Sequence, residues 1–143
     1  MITKGSIIIK ESFFKVYAVA CDIEHQHEFI PGYEPAVISK TNDGKMVIQR
    51  TAALNKKKMT WKSTAEFAPN KFILFKQIEG RLKGMEIEWL FDAVDEGTML
   101  TITHTLRLNI PIIGRFIETY IAKPAIDKLT SNVLKGLKNK MEK

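Results

Sequence analysis

The histidines are the residues of this chain best suited to acid–base or metal chemistry, and two of the three lie close together. His25 and His27 fall in the stretch DIEHQHEFIPGYEP, among carboxylates and just before Pro31-Gly32. A short helix is predicted there, and residues two apart on a helix point about 200° from each other, so the two rings cannot bind one ion. The sequence has no HExxH motif and no matching cysteine spacing. We therefore predict no metal site and no cofactor, and interpret the stretch as an exposed, helix-capping turn that closes one end of an interior cavity.

His104 is the one candidate catalytic residue. It lies in TMLTITHTLRL on the apolar face of a predicted strand, between Ile102 and Leu106, and so should point inward. A buried neutral imidazole needs partners for its ring nitrogens. Three interpretations stay open: a core histidine bonded to a neighbour, a polar handle for a ligand, or a general acid/base. Glu11 continues the apolar face of Ile9 and is either a second interior polar group or a strand-end carboxylate in water.

The composition is that of an ordinary globular protein, with 143 residues, 45% hydrophobic and 27% charged. We expect one domain spanning residues 1–143. No apolar run approaches the ~18 residues of a spanning helix, and the N-terminal segment lacks the features of a signal peptide. The single cysteine, Cys21, suits a reducing compartment and is interpreted as a small buried hydrophobe. These features predict a cytoplasmic location, with peripheral contact at the inner membrane face as an alternative.

Hydrophobic periodicity predicts the order of the elements. SIIIKE reads as a strand, and SFFKVYAVACDI and EHQHEFI read as two short helices, the first with Ser12 as a candidate N-cap. Six strands follow, beginning with a pair joined by the hairpin signal Asn-Asp-Gly at 42–44. Most of these strands alternate between one apolar and one polar face, which is typical of an antiparallel sheet covered on one side.

A long helix is predicted over residues 114–141. Its expected apolar stripe repeats every four residues and is widened by three more: Ile117, Ile121, Ala125, Leu129, Val133 and Leu137, with Phe116, Tyr120 and Ile126. Pro124 removes one hydrogen bond and should kink the axis. The fold class is therefore α+β, with a curved seven-stranded antiparallel sheet wrapped around the C-terminal helix and two short helices between strands 1 and 2.

A curved sheet around one helix tends to leave an elongated apolar cavity, which is a default ligand site. The residues expected to line it are Glu11, Tyr33, Met59, Trp61, Ser63, Phe67, Gln77, Ile87, Trp89, Phe91, Leu100, Ile102, His104, Phe116 and Tyr120. The apolar turn NIPIIGRF is either folded onto the core or exposed as an entrance lip. The lip would comprise Ile110, Pro111, Ile112, Ile113 and Phe116, and with Arg115 and Lys123 beside it could dock on an anionic bilayer.

The chain resembles the START-like superfamily of polyketide cyclases/dehydrases and lipid-transport proteins, which has the birch-pollen-allergen, or helix-grip, fold. The likeness covers essentially the whole chain and is most specific in EGRLKGMEIEW followed by DEGTMLTITHTL. The matching residues there are Glu79, Gly80, Lys83, Glu86, Glu88, Trp89, Gly97 and Thr98. The two short helices match through Val16, Asp22, Glu24, Phe29 and Pro31. Within the superfamily, the chain is most similar to the coenzyme Q-binding and ribosome-association-toxin branch, although Gln26-His27 replaces the branch's aromatic–proline pair.

The resemblance implies a carrier or chaperone of a hydrophobic small molecule, namely a lipid, an isoprenoid quinone or a polyketide-like aromatic. One alternative is a cyclase or aromatase that uses His104 as its acid/base. Another is a ribosome- or RNA-binding module, because the net charge is +6 and basic residues cluster at 55–62 and 128–143. No motif of an RNA-binding sheet or phosphate loop supports that alternative, and a solvated lysine-rich surface explains the same clusters.

Overall fold

One antiparallel sheet of seven strands forms the framework of the protein. The structure, a computed structural model, describes residues 1–41, 45–54, 56–69, 71–107 and 113–142. The strands are β1 (Ile2–Ile9), β2 (Val37–Lys40), β3 (Met46–Leu54), β4 (Lys57–Ala68), β5 (Phe72–Glu79), β6 (Glu86–Val94) and β7 (Gly97–Thr105). Their order across the sheet is β1-β7-β6-β5-β4-β3-β2. The predicted sheet is thus confirmed; the predicted turn at 42–44 and the entrance-lip residues 110–112 lie outside the described residues.

Two short helices connect β1 to β2, as the periodicity predicted. Helix α1 (Phe13–Cys21) buries Val16 and Ala20, and a 3-10 helix (Ile23–Glu28) follows it. Ser12 occupies the N-cap position of α1 but its side chain makes no capping hydrogen bond. The buried Gln26 links the two helices, since its Nε2 donates a hydrogen bond of 3.0 Å to the carbonyl oxygen of Ala20.

The C-terminal helix runs without a break from α2 (Ile113–Ile117) through a π-helical turn (Glu118–Ala122) into α3 (Lys123–Met141). Lys123 N–H bonds to the carbonyl oxygen of Glu118, five residues earlier. Pro124 follows at once, at a position where its missing N–H and its ring disturb the regular ladder. A π-helical turn is therefore the local form that the helix takes where the sequence predicted a kink.

The apolar stripe of this helix differs from the predicted one. Its buried positions are Ala122, Ile126, Thr130, Val133, Leu134, Gly136 and Leu137. Residues four apart advance about 40° on a helix of about 3.6 residues per turn, so a strict four-residue repeat drifts off the buried face. Phe116 and Tyr120 consequently lie 58% and 68% exposed, and their predicted place among the interior lining residues is wrong.

The core lies between the inner face of the sheet and the helices, in two clusters. The main core comprises Ile9, Val16, Ala20, Ile23, Ile30, Ile48, Ala65, Ile73, Phe75, Trp89, Phe91, Leu100, Ile102, Val133, Leu134 and Leu137. The second cluster comprises Met85, Leu106, Ala122 and Ile126, near the start of α3. On β7, His104 lies between Ile102 of the main core and Leu106 of the second cluster, which follows the end of the strand. Thr130 has the corresponding position on α3. Polar side chains therefore occupy the interior between two apolar clusters.

Candidate functional site

Three buried polar side chains cross the inner face of adjacent strands. Arg50 on β3, Ser63 on β4 and Gln77 on β5 are only 7%, 2% and 4% exposed, and we call them the polar band. Each alternates with buried apolar residues along its strand, as Arg50 does with Ile48 and Ala52. Because side chains two apart share one face of a strand, all three point toward the interior.

Strand register brings the polar band together. Ser63 is paired directly with Gln77, and Arg50 is paired with Trp61, two residues before Ser63. Diagonal neighbours of this kind lie about 7–8 Å apart, within reach of a long side chain. The β4–β5 register shifts between Lys62 and Ser63, an irregularity that reshapes the ladder beside the band.

The described residues do not supply hydrogen-bond partners for every group of the polar band. Ser63 Oγ is buried and has no hydrogen-bond partner in the part of the chain that the structure describes. Among the described residues, one other buried side-chain atom lacks a hydrogen-bond partner, Gln26 Oε1. It lies outside the band, and the nitrogen of the same amide donates to Ala20. Since buried polar groups are normally paired, an orphan hydroxyl beside two further polar groups points to a missing partner.

Gly80 makes room for the band. Its φ of +123° favours glycine, and a Cβ there would lie 2.7 Å from Gln77 Nε2 and 2.9 Å from Trp61 Cβ. A side chain at this position would therefore displace the Gln77 amide. This glycine is one of the residues on which the sequence resemblance rests, and the structure gives it a local reason.

Arg50 lies against two aromatic rings. Its Cζ is 5.3 Å from the centre of the Tyr33 ring and 5.8 Å from that of Phe75, within cation–π range. Tyr33 is placed there by a bridge to Ala52 on β3. Burial lowers the pKa of Arg50 and raises that of Tyr33. Sequence reasoning missed Arg50, although its shared parity with Ile48 and Ala52 was a usable signal.

His104 lies on the inner face of β7, as predicted, and is 7% exposed. Thr130 Oγ1 on α3 is 3.4 Å from its Nδ1. Burial lowers the pKa of His104 to about 4, partly opposed by the charge of Asp127, so the ring is neutral near pH 7. Its strand is two steps across the sheet from β5, which is about 10 Å, so His104 and the polar band are separate groups.

The predicted apolar lining divides into two sets. Trp89, Phe91, Leu100 and Ile102 belong to the main core, and Phe67 and Ile87 pack against it. Met59 and Trp61 also lie on the inner face, opposite Ala52 and Arg50, yet among the described residues they join neither core cluster. These two half-buried side chains are the apolar neighbours of the polar band.

Other predicted site residues lie elsewhere. The carboxylate of Glu11 is about a third exposed and pairs with Lys15 at 3.7 Å, which favours the strand-end interpretation over that of an interior polar group. Phe116 is exposed, which fits a lip but leaves that prediction open, because residues 110–112 are not described and Ile113 is described in its backbone alone. None of the helices in the described ranges is long and apolar enough to span a membrane.

The histidine pair has separate local partners. His25 Nδ1 lies 2.8 Å from Asp22 Oδ1, which raises the pKa of His25, whereas His27 Nδ1 lies 3.1 Å from the Glu24 carbonyl oxygen. Within the described residues, no group of three or more His, Cys, Asp or Glu side chains could hold a metal ion. A surface groove of about 480 Å³ lies between β1 and α3, and no residue of the polar band lines it.

Basic side chains are interspersed with acidic ones on the surface. Lys58 pairs with Glu34 at 2.9 Å, Lys62 with Glu79 at 3.6 Å, and Lys138 with Glu142 at 2.6 Å. These exposed pairs are typical of a solvated surface and add little stability. The ribosome- or RNA-binding alternative gains no support from them.

Comparison with known proteins agrees with this architecture. A family model described as "Polyketide cyclase / dehydrase and lipid transport" matches residues 12–130. A comparison with curated proteins found no match.

Solved structures with the same fold cover nearly the whole chain. The protein TTHA0849 from Thermus thermophilus is 22% identical with a TM-score of 0.83, covering 99% of this chain and 97% of that one. The Zhui aromatase/cyclase from a Streptomyces species is 16% identical with a TM-score of 0.80, covering 99% and 93%. A START superfamily protein from Mycobacterium smegmatis is 14% identical with a TM-score of 0.78, covering 99% and 97%. At these identities the likeness shows the helix-grip fold alone.

Proposed function

Because this chain belongs to the polyketide cyclase/dehydrase and lipid transport family, we propose that it is a carrier or chaperone that binds a hydrophobic small molecule between the sheet and the C-terminal helix. The ligand classes that fit are a lipid, an isoprenoid quinone or a polyketide-like aromatic. The observation that carries the proposal is the polar band of Arg50, Ser63 and Gln77, which is buried without protein partners for Ser63 Oγ.

The energetics of burial support a ligand at the band. An unsatisfied buried hydroxyl costs about 1–3 kcal/mol, and a bound oxygen or nitrogen atom would offset that cost by pairing with it. Met59 and Trp61, which join neither core cluster, would cover the apolar body of the ligand. Apolar burial of about 25 cal/mol per Å² would supply most of the affinity before the costs of association.

The state of His104 supports a carrier over a catalyst. A general base is most effective when its pKa is near the working pH. With a pKa of about 4, His104 is a weak base, and Thr130 holds its Nδ1 at 3.4 Å. A cyclase that relied on this imidazole for proton abstraction would need a group that is more basic and closer to the polar band.

The first experiment is mass spectrometry of an organic extract from freshly purified protein, beside native mass spectrometry of the intact chain. We expect one molar equivalent of a hydrophobic molecule, or its uptake from a panel of quinones, fatty acids and aromatic polyketides. The variant Ser63→Leu, which replaces the hydroxyl of the band with a bulky apolar side chain, should lose the ligand while keeping its circular dichroism spectrum. Ser39→Leu, on the exposed edge strand β2, is the matched control and should keep the ligand.

Two results would overturn the proposal. One is a wild-type protein that is empty and takes up no member of the panel. The other is a folded Ser63→Leu variant that binds as well as Ser39→Leu, since the ligand would then lie away from the band.

A further inference from the structure

We propose that the interior recognises a hydrophobic acid, and that Arg50 pairs with the anionic oxygen group of that ligand. This inference rests on the proposed function and adds the chemical class of the ligand head. The oxygen group is a carboxylate, an acidic enolate or a comparable anion attached to an apolar body.

The position of Arg50 is unusual for a cation. It is 7% exposed and lies between the fully buried Ile48 and the buried Ala52 on the inner face of β3. A guanidinium is protonated at any physiological pH, so this position holds a permanent positive charge. Burying a charge is costly unless it is paired, and arginine is rarely found fully buried without a partner.

The described residues supply no counter-ion to this charge. The guanidinium of Arg50 forms no ion pair and no hydrogen bond with any group in the described ranges. Two carboxylates on neighbouring segments are engaged at the surface, Glu34 by Lys58 and Glu79 by Lys62. The charge is therefore available to a molecule that enters the interior.

The two ring contacts leave the binding groups of Arg50 free. The ring centres of Tyr33 and Phe75 lie 5.3 and 5.8 Å from the guanidinium carbon. Rings interact with the cation as a whole, whereas its five N–H groups point outward in the guanidinium plane. That fork matches two oxygens of one anionic group, and Ser63 Oγ lies on the next strand as a further polar partner.

A matched pair of dyes tests the inference directly. 8-Anilino-1-naphthalenesulfonate and N-phenyl-1-naphthylamine share one apolar skeleton, and only the first carries an anionic group. Titrated by fluorescence into the full-length chain, the sulfonate should bind about tenfold more tightly than the neutral dye. In Arg50→Met that preference should disappear through a loss of sulfonate affinity of about tenfold or more, while the neutral dye keeps its affinity.

Two further variants separate charge from shape. Lys76→Met removes the same charge from the exposed face of β5 and should leave both affinities unchanged. Arg50→Lys keeps the charge without the planar fork and should retain part of the preference. Thermal unfolding of the ligand-free Arg50→Met variant should occur at the wild-type temperature or higher, since an unpaired buried charge has been replaced by an apolar side chain.

The outcomes distinguish this inference from the function on which it rests. Equal binding of both dyes, unchanged in Arg50→Met, would overturn the anionic head and leave a carrier of neutral ligands. Binding of neither dye, together with an empty protein, would overturn both proposals. A lower unfolding temperature with loss of both dyes in Arg50→Met would assign Arg50 to structure and overturn the inference.

Discussion

Buried polar groups on one side of the interior have hydrogen-bond partners, whereas those on the other side lack partners among the described residues. On the side where α3 packs against β1 and β7, a surface groove lies at the outer edge, but farther in a Cβ on Gly5 would lie 2.7 Å from Thr130 Cγ2, and we call this the closed side. His104 is neutral there and has Thr130 as a partner. On the side of β3, β4 and β5, which α3 contacts less and which we call the open side, Ser63 Oγ has no partner and Arg50 has no counter-ion among the described residues.

Both sides arise from the same sequence pattern, so the pattern alone does not decide their roles. His104, Arg50 and Ser63 each replace an apolar residue at an inward position of an alternating strand. What separates them is whether another element of the chain comes close enough to pair with them. Buried polar groups that the protein satisfies rigidify a core, whereas unsatisfied ones cost stability and persist where they serve a ligand.

The largest expected difference between the two sides is in the cost of truncation. Ile102→Ala, in the fully buried closed side, should lower the free energy of unfolding by about 2–5 kcal/mol because it leaves a cavity in packed surroundings. Met59→Ala, on the half-buried open side, should cost less than about 1 kcal/mol. Urea unfolding of both variants measures the contrast. Equal losses would show that the open side is packed as tightly as the closed side.

A pH dependence should come from the closed side. The pKa of His104 is lowered to about 4 in the folded state, against an ordinary value of 6.5. Above pH 6.5 the ring is neutral in both states and contributes nothing; below it, the unfolded chain binds a proton that the folded chain does not. Stability should therefore fall by about 3 kcal/mol as the pH drops from 6.5 to 4.

The variant His104→Gln isolates this contribution, since carboxylates also titrate over part of the same range. Urea unfolding at pH 7 and pH 4 should show a smaller loss of stability in His104→Gln than in the wild type. Identical losses in the two proteins would mean that the imidazole titrates near its ordinary value and is not shielded by α3.

The sequence was enough to predict the strands, their inward faces and the position of His104. The alternation in stretches such as Lys57–Ala68 determines which face of the strand points inward, because a shift of the register by one residue would expose Trp61, Ser63 and Ala65 together. The order of helices and strands then leaves few ways to cover the apolar face. The START-like resemblance agreed with that pattern and is confirmed by the family match.

Two features of the site were beyond this reasoning, for different reasons. Apolar residues recur every four positions in the sequence of the C-terminal helix, but the helix has about 3.6 residues per turn and includes a π-helical turn. As a result Tyr120 lies in solvent and Thr130 lies over the sheet. Arg50 was overlooked because arginine is usually exposed, although strand parity placed it inward. The position of Glu11 was ambiguous for a related reason, because whether its side chain points inward or into water depends on where β1 ends.

The smallest effects compare single hydroxyl groups on the two sides. Thr130→Val keeps the shape of the side chain and removes the Oγ1 that lies 3.4 Å from His104 Nδ1, so it should cost about 0.5–1.5 kcal/mol of unfolding free energy. Ser63→Ala removes a hydroxyl with no partner and should leave the ligand-free protein as stable as the wild type, or slightly more stable. Thermal and urea unfolding of the two variants, each without ligand, measure this difference. A loss of stability in Ser63→Ala equal to that in Thr130→Val would mean that Ser63 Oγ is satisfied within the protein, and the contrast between the two sides would then rest on Arg50 alone.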